Sequence, residues 1–145
     1  MIYIASDHAG FELKTKVFEK LSKNFKCVDL GPFDLVCSVD YPDYAHILCH
    51  EIHKDIENSV GILICGSGIG MSIAANRHPY IRSFVAFNDQ SVELARRHNN
   101  VNVLCLGARM FDEKDLFRWI DLFLNQKFEG GRHIARVQKL NRYDQ

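Results

Sequence analysis

Apolar and polar positions along this chain follow two rhythms. Short β-rich runs begin near Ile2, Lys26, Gly61, Arg82 and Asn102, and helical patterns lie between them. Each gap has room for a strand, a helix and two turns. The pattern predicts a βα repeat, and so an α/β fold whose five-stranded parallel sheet is covered on both faces. A first helix follows Asp7-His8-Ala9-Gly10 and turns Leu13, Val17 and Leu21 to one side. A second starts near Pro42, a residue suited to the first helical position. Small residues after Gly70 predict a third. The fourth covers Asp89 to about His98, with Asp89 expected as its cap. The fifth is the most clearly amphipathic: Leu116, Trp119, Ile120, Phe123 and Leu124 recur at i, i+3, i+4, i+7 and i+8. Glu129-Gly130-Gly131 breaks the pattern, and a C-terminal helix runs from about Arg132 to Asn141. No linker, duplication or low-complexity stretch divides the chain, so one domain is expected over residues 1–145.

The loops after the first and third strands carry unusual polar chemistry: Ser6-Asp7-His8 and Cys65-Gly66-Ser67. Open α/β sheets bind ligands at the carboxyl ends of strands where the strand order reverses. Strands one and three are therefore expected to be neighbours flanking such a crevice.

Residues 61–77 say most about chemistry. An apolar run ends in Cys65, glycine recurs at Gly66, Gly68 and Gly70, and a helix follows. A thiol there lies close to unpaired backbone N–H groups, which favour thiolate over thiol. The loop is not a dinucleotide fingerprint, because its glycine spacing differs and no acidic residue ends the next strand near Phe87. It is not a phosphatase loop either, since Met71 stands where the arginine is required. Two readings stay open: a tight turn that needs glycine for backbone reasons, or an anion hole of N–H groups beside a base or nucleophile. Cys65 by itself could also be an inert buried thiol.

Other polar groups have paired readings. Asp7-His8 sets a carboxylate beside an imidazole, or else Asp7 caps the first helix. Arg132 and Arg136, four apart, face one way with His133 between them. They form a solvated basic face or a seat for a phosphate, and Arg109 could join them. Arg96-Arg97-His98-Asn99 ends the fourth helix, where cations serve as C-caps. If His98 is functional, ten helical residues, about 15 Å, separate it from its own crevice. It is placed to serve a partner's crevice in a two-fold dimer. His46, Cys49, His50 and His53 share a helix. A metal is possible there in principle, but no further ligand set is evident, and a packed or interface helix is the preferred reading.

Composition narrows the field. Apolar residues make up 47% and charged residues 25%, with Lys+Arg 18 balancing Asp+Glu 18. That is ordinary for a soluble globular domain and shows no basic block for nucleic acid or a membrane surface. No apolar run is long enough to span a bilayer. The five cysteines are odd in number and irregularly spaced, and the start lacks a signal-peptide pattern. Reduced thiols and a cytoplasmic location are expected.

Taken together, Ser6-Asp7-His8-Ala9-Gly10, Asp40-Tyr41-Pro42, Ile64-Cys65-Gly66-Ser67-Gly68-Ile69-Gly70 with Ala74-Ala75-Asn76-Arg77, Arg97-His98-Asn99 and Glu129-Gly130-Gly131-Arg132-His133 resemble the type B ribose-5-phosphate isomerases. These share a family with the galactose-6-phosphate and allose-6-phosphate isomerases. The resemblance implies a three-layer α/β/α Rossmann-like fold. It implies an aldose–ketose isomerase without metal or organic cofactor, and homodimers with shared active sites, sometimes paired into tetramers. Cys65 with Met71 resembles the branch with a cysteine base. The His-Asn and Gly-Gly-Arg-His motifs favour ribose 5-phosphate over six-carbon sugars. Carried onto this chain, the resemblance makes Cys65, His98, Asp7 and Ser67 catalytic. It gives sugar or phosphate contacts to His8, Tyr41, Gly66, Gly68, Ile69, Gly70, Asn99, Arg109, Arg132, His133 and Arg136.

Overall fold

The computed structural model describes residues 1–141. The last four residues of the expected domain, 142–145, lie outside the described residues. Strands β1 (Ile2–Ser6), β2 (Cys27–Asp29), β3 (Val60–Cys65), β4 (Ser83–Val85) and β5 (Val103–Gly107) form one parallel sheet in the order β2-β1-β3-β5-β4. Between and after them run α1 (Phe11–Leu21), α2 (Tyr41–His53), α3 (Ile69–Ala75), α4 (Asp89–Asn99), α5 (Glu113–Asn125) and α6 (His133–Leu140). The strand order reverses between β1 and β3, which pair from Ile2↔Val60 to Ser6↔Ile64. The two loops with unusual polar chemistry therefore end on adjacent strands.

The sheet separates two apolar clusters, which makes the fold three-layered. On one face Leu13, Val17 and Leu21 of α1 and Leu116, Trp119, Ile120 and Phe123 of α5 pack on Ile4, Ile62 and Leu104. On the other, Ala45, Leu48 and Ile52 of α2 and Met71, Ala74 and Ala75 of α3 pack on Ala5, Leu63 and Cys105. Alternation along β3 explains the division: Ile62 and Ile64 face one layer, Leu63 and Cys65 the other. The periodicity of α5 holds, with Leu116, Trp119, Ile120 and Phe123 all buried.

One cap differs from expectation. Asn88, not Asp89, begins α4: its side chain accepts from the Ser91 N–H at 2.7 Å, and the Ser91 hydroxyl completes a capping box. Asp89 is left in the first turn, where its carboxylate accepts from Trp119 Nε1 at 2.8 Å and pairs with Arg118. A carboxylate one residue inside the helix still faces the positive end of the helix dipole, so α4 gains both a cap and a tie to α5.

Lys14 is the least expected core residue, only 1% exposed. Its ammonium donates to both carboxylate oxygens of Asp29 at 2.7 and 2.6 Å. Asp29 in turn accepts from the Gly31 N–H at 2.8 Å. The pair anchors the turn that leaves β2 and so fixes the start of the segment leading to α2.

Candidate active site

At the carboxyl edge of the sheet, β3 ends in Cys65, 5% exposed. The Gly68 N–H donates to its Sγ at 3.0 Å. Gly68 sits at φ 78°, in the left-handed region, and precedes α3. A Cβ there would lie 3.0 Å from the Leu106 carbonyl carbon and strain the backbone besides, so glycine is required at this turn. The Ile69 N–H donates to Ser67 Oγ at 3.3 Å, and the first helical bond is Ser72 N–H to Gly68 O. The Gly70 and Met71 N–H groups have no protein acceptor among the described residues. This is a concave row of backbone donors beside a thiol.

Neighbouring loops brace that row. The Ala108 N–H donates to Cys65 O at 2.8 Å, and the Arg109 N–H to Gly66 O at 3.0 Å. The Arg109 side chain passes over Gly66, within 3.6 Å of where a Cβ would stand. The Tyr41 ring, at the start of α2, lies over Gly70, where a Cβ would come within 2.5 Å of it. Asp7, 7% exposed, accepts from the Gly10 N–H at 3.0 Å, so it caps the turn before α1 and not the helix itself. Its own N–H donates to Ile64 O, next to Cys65. His8 is exposed, with Nδ1 3.2 Å from both Val39 O and Ser38 Oγ. Asp7, His8, Tyr41, Cys65, Gly66, Ser67, Gly68, Ile69, Gly70 and Arg109 are thus gathered at one edge.

The remaining residues form a second group. α4 runs away from that edge and ends in His98 and Asn99. The His98 and His133 rings stack, with centroids 4.3 Å apart and an interplanar angle of 13°. Glu129 Oε2 lies 3.6 Å from Nε2 of each. Glu129 is locked to Arg97, which donates from Nε at 2.6 Å. That pair holds the Glu129 carboxyl below its ordinary 4.5. Burial, with help from His98 and Arg132, holds His133 below its ordinary 6.5. His133 is buried, whereas Arg132 and Arg136 are exposed beside it. These three imidazole and carboxylate groups are also close enough together to hold a cation. Asn99 faces a groove shared with Phe84, Phe87, Leu94 and Leu140. Among the described residues no hydrogen bond or ion pair joins this group to Cys65.

Glu129 was legible only as part of a glycine motif. Its spacing of four from His133 is the signal that could have marked it. Val39 and Ser38, which hold His8, carry no local signal, because they meet it only through the loop after β2.

Comparison with known proteins agrees over nearly the whole chain. A family model described as Ribose/Galactose Isomerase matches residues 2–140. The crystal structure of ribose-5-phosphate isomerase B from Mycoplasma genitalium with bound ribulose-5-phosphate superposes with a TM-score of 0.94 at 41% identity, covering 98% of this chain and 94% of that one. Type B ribose 5-phosphate isomerase from Trypanosoma brucei gives 0.92 at 38% identity, covering 99% and 97%. Ribose-5-phosphate isomerase B of Escherichia coli is 36% identical over 145 residues, 99% of this chain and 96% of that protein.

Proposed function

This chain belongs to the ribose/galactose isomerase family, and from that premise we propose that it interconverts D-ribose 5-phosphate and D-ribulose 5-phosphate. The observation that carries the reading is the thiol of Cys65 at the strand-order switch, facing the Gly68 N–H and a row of further backbone donors. A sugar isomerisation needs a base beside C2 and positive groups around the oxygen that gains charge. The reaction moves protons between neighbouring atoms and leaves the sugar's oxidation level unchanged, so no redox partner is required.

In the proposed mechanism Cys65 takes the C2 proton of the aldose and returns it to C1. N–H groups of the Gly66–Gly70 loop hold the enediolate oxygen, with the Ser67 hydroxyl assisting. Each such donor is worth about 3 kcal/mol in comparable sites. Asp7 and His98 open the furanose ring by proton transfer. Tyr41 and Asn99 contact sugar hydroxyls. His8, Arg109, Arg132 and Arg136, with His133 beside them, receive the phosphate, whose binding energy orients the reacting carbons.

These roles need two chains. His98, Asn99, Arg132 and Arg136 lie apart from the Cys65 of their own chain. β4 is an edge strand, and Ile69, Ile73, Phe87, Leu94 and Leu140 on and around that side are exposed. Such a run of apolar side chains supports a two-fold dimer in which each second group completes the partner's first. The enzyme is proposed to work in the cytoplasm, where its thiols stay reduced.

Proton NMR of ribose 5-phosphate in deuterated water tests the reading. The expected result is enzyme-dependent appearance of ribulose 5-phosphate with deuterium exchange. An unchanged ribose spectrum beside turnover of allose or galactose 6-phosphate would reject the substrate.

A further inference from the structure

α2 carries His46, His50 and His53 at i, i+4 and i+7, so the three imidazoles share one helical face. The fold adds a fourth from a distant part of the chain. His78, in the turn between α3 and β4, stands among them. Its ring centroid is 4.9 Å from that of His46, 5.3 Å from His50 and 5.8 Å from His53. His46 Nδ1 and His78 Nε2 are 2.7 Å apart, sharing one hydrogen bond. His53 Nε2 is already engaged with Pro79 O at 2.6 Å.

None of these four residues has a part in the proposed isomerisation. The apolar core does not use them either: His50 and His53 are exposed, and His46 and His78 are half-buried. The α2 core is already supplied by Ala45, Leu48, Cys49 and Ile52.

We propose that His46, His50 and His78 form a binding site for a divalent transition-metal ion such as Zn²⁺, which joins α2 to the α3–β4 turn. The spacing fits. Two imidazoles bound to one tetrahedral ion at about 2.0–2.1 Å have ring centroids about 5 Å apart, close to the His78 separations from His46 and His50. To admit the ion, whichever of His46 and His78 donates the shared hydrogen bond shifts its proton to its other ring nitrogen. Both facing nitrogens then present lone pairs, and their 2.7 Å separation opens by about half an ångström. The His50 ring swings in from its exposed position. Three imidazoles leave the fourth place to water. His53, held by Pro79, flanks the site without entering it.

Titration of the full-length protein with Co²⁺ and with Zn²⁺ tests the site. One ion per chain is expected, with visible Co²⁺ bands of a tetrahedral nitrogen and oxygen set, and a thermal midpoint raised by Zn²⁺. His78→Asn and His50→Gln are each expected to weaken binding about tenfold or more and to remove the thermal shift. His50 is exposed, so its variant folds whatever happens at His78. Three results would overturn the site. They are no saturable binding, binding that survives both variants but is lost in Glu129→Gln, and a sulfur-to-cobalt charge-transfer band.

Discussion

The backbone N–H of Gly68 donates to the sulfur of Cys65 across 3.0 Å. The two residues are three apart, and the bond closes the turn between β3 and α3. It brings a positive hydrogen to the atom assigned as base. Cys65→Ala is expected to lower kcat about a hundredfold to ten-thousandfold while sugar phosphate still binds. Deuterium incorporation at C2 measures the first and isothermal titration the second. A fully active variant would show that another group takes the proton.

Two glycines at this edge separate positioning from stability. At Gly10 an added Cβ would meet the Ile64 carbonyl oxygen at 2.5 Å, and backbone cannot yield. Gly10→Ala is expected to cost about 1–3 kcal/mol in urea unfolding. At Gly70 the obstacle is the Tyr41 ring, whose residue is 41% exposed and can swing outward. Gly70→Ala should therefore leave unfolding nearly unchanged but raise KM by displacing Tyr41. A large loss of stability in Gly70→Ala would contradict this division.

His98 is held against His133 and Glu129, away from its own Cys65. If it completes a partner's site, mixing inactive Cys65→Ala and His98→Asn chains restores some activity, because a mixed dimer contains one site with both groups intact. Activity that stays at the level of the separate variants would argue for sites built from single chains. His98→Asn alone should impair turnover of the cyclic sugar more than of an open-chain analogue.

Histidine burial sets a direction for pH. His78 and His133 are both held below 6.5, chiefly by burial. As pH falls, the unfolded chain takes up protons first. The stability from keeping these rings neutral is complete above 6.5 and is lost as pH drops through their lower folded values. Glu129, held below 4.5, adds a loss of the same sign in stronger acid. With a chelator present, the thermal midpoint is expected to fall from about pH 7.5 to about pH 5.5, and less so in His78→Asn. A midpoint rising over that range would refute the assignment.

Periodicity alone determined the alternation of strands and helices in this chain, because burial on two faces of a parallel sheet leaves a regular apolar record. The five strands begin within a residue of the positions read from the pattern. Cys65 and its glycine loop were legible for a related reason: a backbone that turns through positive φ beside a strand end needs glycine, and few plain turns place a thiol there. The cap at Asn88 was missed because a residue's fitness to cap is local, whereas Asp89 was claimed by Trp119 and Arg118 from another helix.

Tertiary structure decided which of these signals meet. The length of α4 had already placed His98 away from the edge where Cys65 lies, and the fold added which residues join it there. It stacked His98 on His133, and it brought His78 to the helix of His46, His50 and His53. Such meetings depend on strand order and helix direction. A sequence records what each residue prefers locally; only the folded packing determines which distant side chains come to share a place.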